Sequence, residues 1–104
     1  MPDASSVERE LNELQAELKK AVRAGTTPLT AKAKAVHERI VAACSRGFQV
    51  EAHKDGGRIL RMQVVGGLRP GLTQFKFMRF AETSTEEEDC ELVVVDRFKV
   101  RSRV

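Results

Sequence analysis

Hydrophobic residues follow a helical spacing through the first part of the chain and a strand spacing through the rest. Along the first helical stretch they are separated alternately by four and three residues: Val7, Leu11, Leu14, Leu18 and Ala21. This spacing is that of a coiled-coil seam of about two heptads. A capping box formed by Ser5 and Glu8 predicts the start of the helix, and Gly25 predicts its end. Because the seam is narrow, we expect the helix to pack against a single neighbour.

A second helix is predicted over residues 28–45. Its apolar face consists of residues at helical spacing: Leu29, Ala33, Val36 and Ile40. Thr27 suits the N-cap, Pro28 suits the first helical position, and Gly47 suits the left-handed residue after the last turn.

Four strands are predicted after Gly47, where the hydrophobic period changes to two. They are residues 48–53, 58–65, 73–80 and 90–104, the last of them bent near Asp96. The Asp-Gly pair within residues 54–57 predicts a hairpin turn, and the acidic residues 81–89 are expected to form a loop. The sequence therefore predicts an α+β fold, with two N-terminal helices packed on one face of a four-stranded antiparallel β-meander. We divide it into an N-terminal heptad helix and linker, residues 1–27, and a globular domain, residues 28–104.

Charge is segregated along the last quarter of the chain. Residues 82–91 carry six acidic and no basic side chains, whereas residues 96–103 carry four basic side chains and one acidic. A length of 104 residues and a net charge of +3 fit one small domain without identifying a partner. The aromatic residues are five Phe, with no Trp or Tyr, and they alternate toward the expected core. This disfavours a nucleic-acid binder, because single-strand readers usually stack bases on exposed aromatic side chains.

Alternation along the strands predicts one apolar face and one cationic face. If the helices cover the face that bears Leu60, Met62 and Phe77, the opposite face carries a set of cations: Arg61, Lys76, Arg97, Lys99 and Arg101. This basic face is the strongest functional signal in the sequence. A charged open face also keeps a sheet soluble and its edge unpaired, so the pattern has a purely structural interpretation as well.

Catalytic and metal-binding patterns are not found in the sequence. His37 and His53 have no motif relation to Cys44, and each fits a structural or surface role. Cys44 and Cys90 are expected in the core. The acidic residues 86–89 lack the alternating ligands and the turn glycine of a calcium loop. We therefore predict no enzymatic activity, no cofactor and no metal.

Residues 36–100 resemble the kinase-associated C-terminal domain of the microtubule-affinity-regulating kinases and their relatives. The resemblance rests on a helix that leads into a Gly-Phe pair and a strand, on an apolar-proline turn at residues 68–72, and on the strand FKFMRF at residues 75–80. It implies a non-enzymatic regulatory module that binds acidic phospholipid through a basic patch and docks on a kinase domain. The residues that could inherit the lipid role are Lys76, Arg79, Arg97, Lys99 and Arg101. The chain differs from that family in its N-terminal heptad helix and in lacking a helix after the last predicted strand.

Two functions follow from these patterns. The first is a non-enzymatic regulatory binding module that docks its basic face on acidic phospholipid or on an acidic protein surface. The alternative is a constitutive assembly subunit, as in kinetochore-type scaffolds, that forms a homo- or heterodimer through its heptad seam: Val7, Leu11, Leu14 and Leu18. The N-terminus has no secretory signal and no apolar run reaches the length of a bilayer span, so a cytosolic or nuclear location is expected.

Overall fold

The computed structural model describes the backbone of residues 3–25, 29–54, 59–68, 74–80 and 85–102, and the side chains of residues 3–25, 31–54 and 91–102. Predictions that lie outside the described residues are the helix cap at residues 27–28, the hairpin turn at residues 55–57, the apolar-proline turn at residues 69–72, and the last cation of the final strand, Arg103. Within these described residues, no helix is both long enough and apolar enough to cross a membrane.

Both predicted helices are present, α1 over Ala4–Ala24 and α2 over Leu29–Ser45. Each is followed by a glycine in the left-handed conformation, Gly25 at φ 66° and Gly47 at φ 86°. Glycine adopts positive φ without the steric cost that a Cβ atom would bring. The two predicted helix ends are therefore confirmed.

Asp3 caps the N-terminus of α1 in place of the predicted Ser5. Its carboxylate accepts a hydrogen bond from the backbone N–H of Ser6 at 2.9 Å, which satisfies one of the unpaired amides of the first turn. This hydrogen bond from Ser6 lowers the pKa of Asp3 below its ordinary value of 3.8, because it stabilises the ionised carboxylate.

The α+β class is confirmed, and the strands differ in number from the four predicted. They are β1 (Phe48–Lys54), β2 (Ile59–Leu68), β3 (Gln74–Phe80), β4 (Thr85–Glu91) and β5 (Val95–Ser102). The sheet order is β4-β3-β2-β1-β5, and neighbouring strands are antiparallel. Residues 85–91, most of which were expected in a loop, form β4, and a 3₁₀ turn at Leu92–Val94 separates β4 from β5. The last strand in sequence therefore lies beside the first.

One hydrophobic core joins α1, α2, β1 and β5. Among the described side chains, its buried members are Val7, Leu11, Leu18, Ala33, Val36, Ile40, Ala43, Val50, Ala52, Leu92, Val95, Phe98 and Val100. Val50 lies opposite Val100 in the β1–β5 register, and Ala52 lies opposite Phe98. Directly opposite residues share one face of a sheet, so this is the face that the helices cover. Helix α1 therefore shares this core with α2, β1 and β5.

The heptad seam of α1 contributes to this core. Val7, Leu11 and Leu18 are at most 1% exposed, and Leu14 is partly buried against the core. The spacing correctly predicts which face of α1 is buried, but the surfaces that cover this face are α2, β5 and the 3₁₀ turn of the same chain. A dimer formed through the seam would require α1 to leave the sheet.

Polar residues of α1 cover the outer edge of β5. The Asn12 side chain donates from Nδ2 to the Phe98 carbonyl at 2.9 Å, and its Oδ1 accepts from the Phe98 N–H at 2.8 Å. Glu8 accepts a hydrogen bond from the Val100 N–H at 2.9 Å. An uncovered edge strand offers such backbone groups to other chains. Helix α1 therefore occupies the place that a further strand would take beside β5.

Replacing Asn12 by alanine removes both hydrogen bonds to Phe98, and we expect the free energy of unfolding to fall by about 0.5–2.5 kcal/mol. Two hydrogen bonds together contribute about 1–3 kcal/mol, and the better helix propensity of alanine offsets about 0.5 kcal/mol of this loss. Urea unfolding followed by far-UV circular dichroism measures the change, since the chain has no Trp or Tyr for fluorescence. The exposed neighbour Glu13 provides the control, Glu13→Ala. Equal effects of the two substitutions would contradict the role of Asn12 at the edge.

The Asp3 cap predicts a local pH dependence at the start of α1. Because the folded-state pKa is lowered, the capping contribution is present above the unfolded-state value of 3.8 and is lost as pH falls through the lower folded-state value. We expect the hydrogen-exchange protection factor of the Ser6 amide to drop across this window. In Asp3→Asn, which keeps an acceptor oxygen that does not titrate, protection should stay constant. The same drop in both proteins would show that another group is responsible.

Candidate binding face on strand β5

The face of β5 that points away from the helices carries a row of three cations. Phe98 and Val100 point into the core. Arg97, Lys99 and Arg101 alternate with them and therefore lie on the opposite face. Arg97 is exposed, the Lys99 side chain is 41% exposed and the Arg101 side chain 59%. At about 3.3 Å per residue, the row is about 13 Å long. We call these three residues the β5 row.

A buried carboxylate on the neighbouring strand holds one end of the β5 row. Glu51 of β1 is 5% exposed, and its Oε1 accepts a hydrogen bond from Arg101 Nε at 3.1 Å. His53 Nε2 lies 3.8 Å from the same oxygen. In the sheet register Glu51 lies between Lys99 of β5 and Arg61 of β2. A carboxylate tolerates burial when cations and hydrogen bonds compensate for its lost hydration, and this setting provides them.

Acidic groups of α1 and β5 lie near the other members of the row. Glu8 Oε1 lies 3.7 Å from Lys99 Nζ, and Asp96, which precedes the row, lies 4.0 Å from Lys19 Nζ of α1. The ion pairs found among the described residues do not include Arg97. In the β5 row, Arg101 is therefore neutralised by a buried acid and Lys99 lies beside a partly exposed acid. The charge of Arg97 is available to a ligand.

Arg61 and Lys76 hold register positions on the same face as the β5 row. Arg61 lies opposite Glu51. Register and alternation along β3 put Lys76 on that face as well, directly opposite Asp89 of β4. Each of these two basic residues thus has an acidic residue at a neighbouring register position.

Arg79 is separated from the other predicted binding residues. It lies opposite Met62 of β2, and Met62 lies opposite Val50, which is buried beneath the helices. Its position therefore belongs to the side of the sheet that the helices cover, and its partner on β4 is Glu86. The register does not bring Arg79 to the β5 row.

Glu51 and Asn12 have no counterpart among the predicted site residues. An acid on the outward face of a strand is typically exposed, and an asparagine inside a helix is typically a weak helix former. The available signal for Glu51 is the cation at every outward position of β5, since opposite charges stabilise cross-strand pairs. For Asn12 the signal is its position directly after Leu11, at the border of the buried seam.

The remaining candidate chemistry belongs to the core and its border. Cys44 is partly buried against the core, whereas the side chain of Cys90 lies outside the described residues. In the part of the chain with described side chains, no three or more His, Cys, Asp and Glu residues form a group that could hold a metal ion.

Replacing Glu51 by glutamine keeps its shape and removes its charge. We expect the free energy of unfolding to fall by about 1–2 kcal/mol, less than the 3–5 kcal/mol of a fully buried pair, because the Arg101 side chain is 59% exposed. Urea unfolding measures the change, with Glu13→Gln on the exposed face of α1 as the matched control. A Glu51→Gln protein as stable as this control would mean that the charge of Glu51 does not organise the β5 row.

Comparison with known proteins identifies no relative of this chain. No family model matches the chain, and neither a curated protein nor a solved structure matches it. The resemblance to the kinase-associated domain therefore stays a prediction from the sequence.

Proposed function

We propose that this chain is a non-enzymatic regulatory binding module that docks an acidic segment of a partner protein on the β5 row. The observation that carries the proposal is the exposure of Arg97, Lys99 and Arg101 on one face of a single strand. Alternate residues of a strand repeat at about 6.6 Å, so an extended partner segment with carboxylates at alternate positions matches the row. Because Glu51 already holds Arg101, less side-chain freedom is lost when a partner binds.

An acidic membrane is the other surface that such a row could contact. The binding free energy expected at a membrane is small, which favours a protein partner. Each basic residue near an anionic leaflet contributes about 1 kcal/mol, so three contribute at most about 3 kcal/mol. This corresponds to roughly a 100-fold gain in the binding constant, which is weak for membrane attachment. The carboxylates beside Lys99 and Arg101 reduce the gain for any acidic partner. A partner protein can add side-chain contacts of defined shape and spacing that a leaflet does not offer.

The wider sheet and the resemblance are consistent with this proposal. Arg61 and Lys76 would extend the contact of an acidic partner across the outer face of the sheet, beyond the β5 row. Docking on another protein is also one of the two activities that the resemblance to the kinase-associated domain implies. Nucleic acid is less favoured, because Phe98 is buried and Phe48 is partly buried against the core, so neither is free to stack on a base.

The alternative function, assembly through the heptad seam, has less support. Three of its four residues, Val7, Leu11 and Leu18, pack against the chain's own strands and second helix. Exposing them to pair with another helix would replace one apolar contact by another of similar kind, at the additional cost of the Asn12 hydrogen bonds.

The double substitution Arg97→Gln, Lys99→Gln is expected to weaken binding of an acidic peptide by about 2- to 30-fold, since each exposed ion pair contributes about 0.2–1 kcal/mol. The probe is a fluorescein-labelled peptide of alternating glutamate and serine, followed by fluorescence anisotropy. Binding to the native protein should weaken as salt is raised, because exposed charges are screened.

A matched control removes the same charge from exposed helix positions: Arg9→Gln, Lys34→Gln. This control should bind within about twofold of the native protein, since one exposed charge contributes little at a distance. An equal loss in both double variants would show that net charge, and not the β5 row, attracts the peptide. Binding to phosphatidylserine vesicles without binding to the peptide would overturn the choice of a protein partner.

A further inference from the structure

A cleft of about 240 Å³ lies between the C-terminal end of α1 and the 3₁₀ turn. Its described lining residues are Lys19, Val22, Arg23 and Val93. Val22 is 39% exposed, and Val94, next to the cleft residue Val93, is 43% exposed. These two are the exposed large hydrophobic residues among the described side chains. Apolar surface bordered by charges is typical of an interaction site.

The wall of the cleft is fixed by buried hydrogen bonds. Gln15 is 2% exposed, and its Nε2 donates to the carbonyl of Leu92 and, at 3.1 Å, to that of Val95. The Glu91 carboxylate accepts a hydrogen bond from the Val93 N–H at 3.4 Å. Leu92 and Val95 are fully buried, so the turn that carries Val93 is held at both ends. A preformed wall lowers the ordering cost of binding.

The cleft is cationic on its α1 side. Lys19 and Arg23 are four residues apart and lie on one face of the helix, where like charges repel by about 0.2–0.5 kcal/mol. Asp96 lies 4.0 Å from Lys19 Nζ, and the Glu91 carboxylate lies at the opposite wall beside Val93, whereas the ion pairs found among the described side chains do not include Arg23. Arg23 lies in the last turn of α1, which favours a cation there but supplies no carboxylate for it. An external carboxylate would therefore find a cation beside an apolar surface.

The size of the cleft limits what it can hold. Sites for cofactors and drug-sized molecules usually measure about 300–1,000 Å³, and a cleft of 240 Å³ falls below this range. It suits one large side chain. The cleft also lies near the start of β5, because Asp96, 4.0 Å from the cleft residue Lys19, directly precedes Arg97.

We propose that this cleft receives one large apolar side chain of the acidic partner segment, with a neighbouring carboxylate of that segment placed beside Arg23. The identity of the partner rests on the proposed function, whereas the presence and lining of the cleft are observed independently of it. Val22 and Val93 supply the apolar contact, and Lys19 and Arg23 select a segment whose apolar residue is flanked by acids. The β5 row and the cleft would then be two contacts for one partner.

The test uses the full chain with ¹³C-labelled valine methyl groups and a blocked synthetic peptide in which a leucine lies between pairs of glutamates. We expect saturable shifts of the Val22 and Val93 methyl signals, with the buried Val50 as an internal reference. A second peptide has alanine in place of the leucine. It should bind the cleft about 5- to 50-fold more weakly, since each buried methylene contributes about 0.8 kcal/mol.

Two variants and the backbone signals of β5 separate the outcomes. Val22→Ser should weaken binding of the leucine peptide, whereas Lys34→Gln, an exposed cation on α2, should leave it unchanged. Shifts at Arg97, Lys99 and Arg101 without shifts at Val22 and Val93 would overturn the cleft and leave the proposed function standing. Shifts at the cleft alone would support the cleft and overturn the role of the β5 row. Equal affinities of the leucine and alanine peptides would also overturn the cleft.

Discussion

The side-chain amide of Asn12 fixes how α1 lies against the sheet, because it joins the helix to a strand edge through both of its polar atoms. A peptide group of a neighbouring strand would offer the Phe98 backbone the same donor and acceptor. With this contact and that of Glu8, the apolar stripe of α1 is held over β5, and Gln15, one turn further along the helix, can reach the 3₁₀ turn. Aspartate could not replace Asn12, since a carboxylate has no hydrogen to donate to the Phe98 carbonyl.

This arrangement decides how β5 can meet another molecule. On its outer edge the N–H and carbonyl of Phe98 and the N–H of Val100 are bonded to Asn12 and Glu8, so a partner that adds a strand there would have to displace α1. Its outward side chains remain accessible, and they are the cations of the β5 row. Recognition through side chains on a covered edge makes charge and spacing, and not backbone hydrogen bonding, the basis of selectivity.

The spacing of hydrophobic residues predicted most of the helices and strands, but few of the contacts between them. The two helices, their glycine ends and the first three strands follow from spacing and turn residues. The N-cap differs because α1 begins earlier than predicted, so that Asp3 accepts from the Ser6 amide and Ser5 lies inside the first turn. Strand β4 was missed because an acidic run has low strand propensity until a sheet edge accepts it. Of the candidate site, alternation predicted the side of β5 that bears Arg97, Lys99 and Arg101. It could not predict the buried Glu51, nor that the seam of α1 is covered by its own chain, since a period identifies a buried face without its partner.

The short 3₁₀ turn has a consequence for the shape of the whole sheet. It joins Glu91 of β4 to Val95 of β5, two strands at opposite ends of the sheet order. A flat sheet would separate the outer strands by four spacings, about 19 Å. Four residue steps reach at most about 14 Å, and a 3₁₀ turn is shorter than an extended chain. The sheet therefore cannot be flat at this end: it must curve so that the end of β4 and the start of β5 lie within the reach of this short turn.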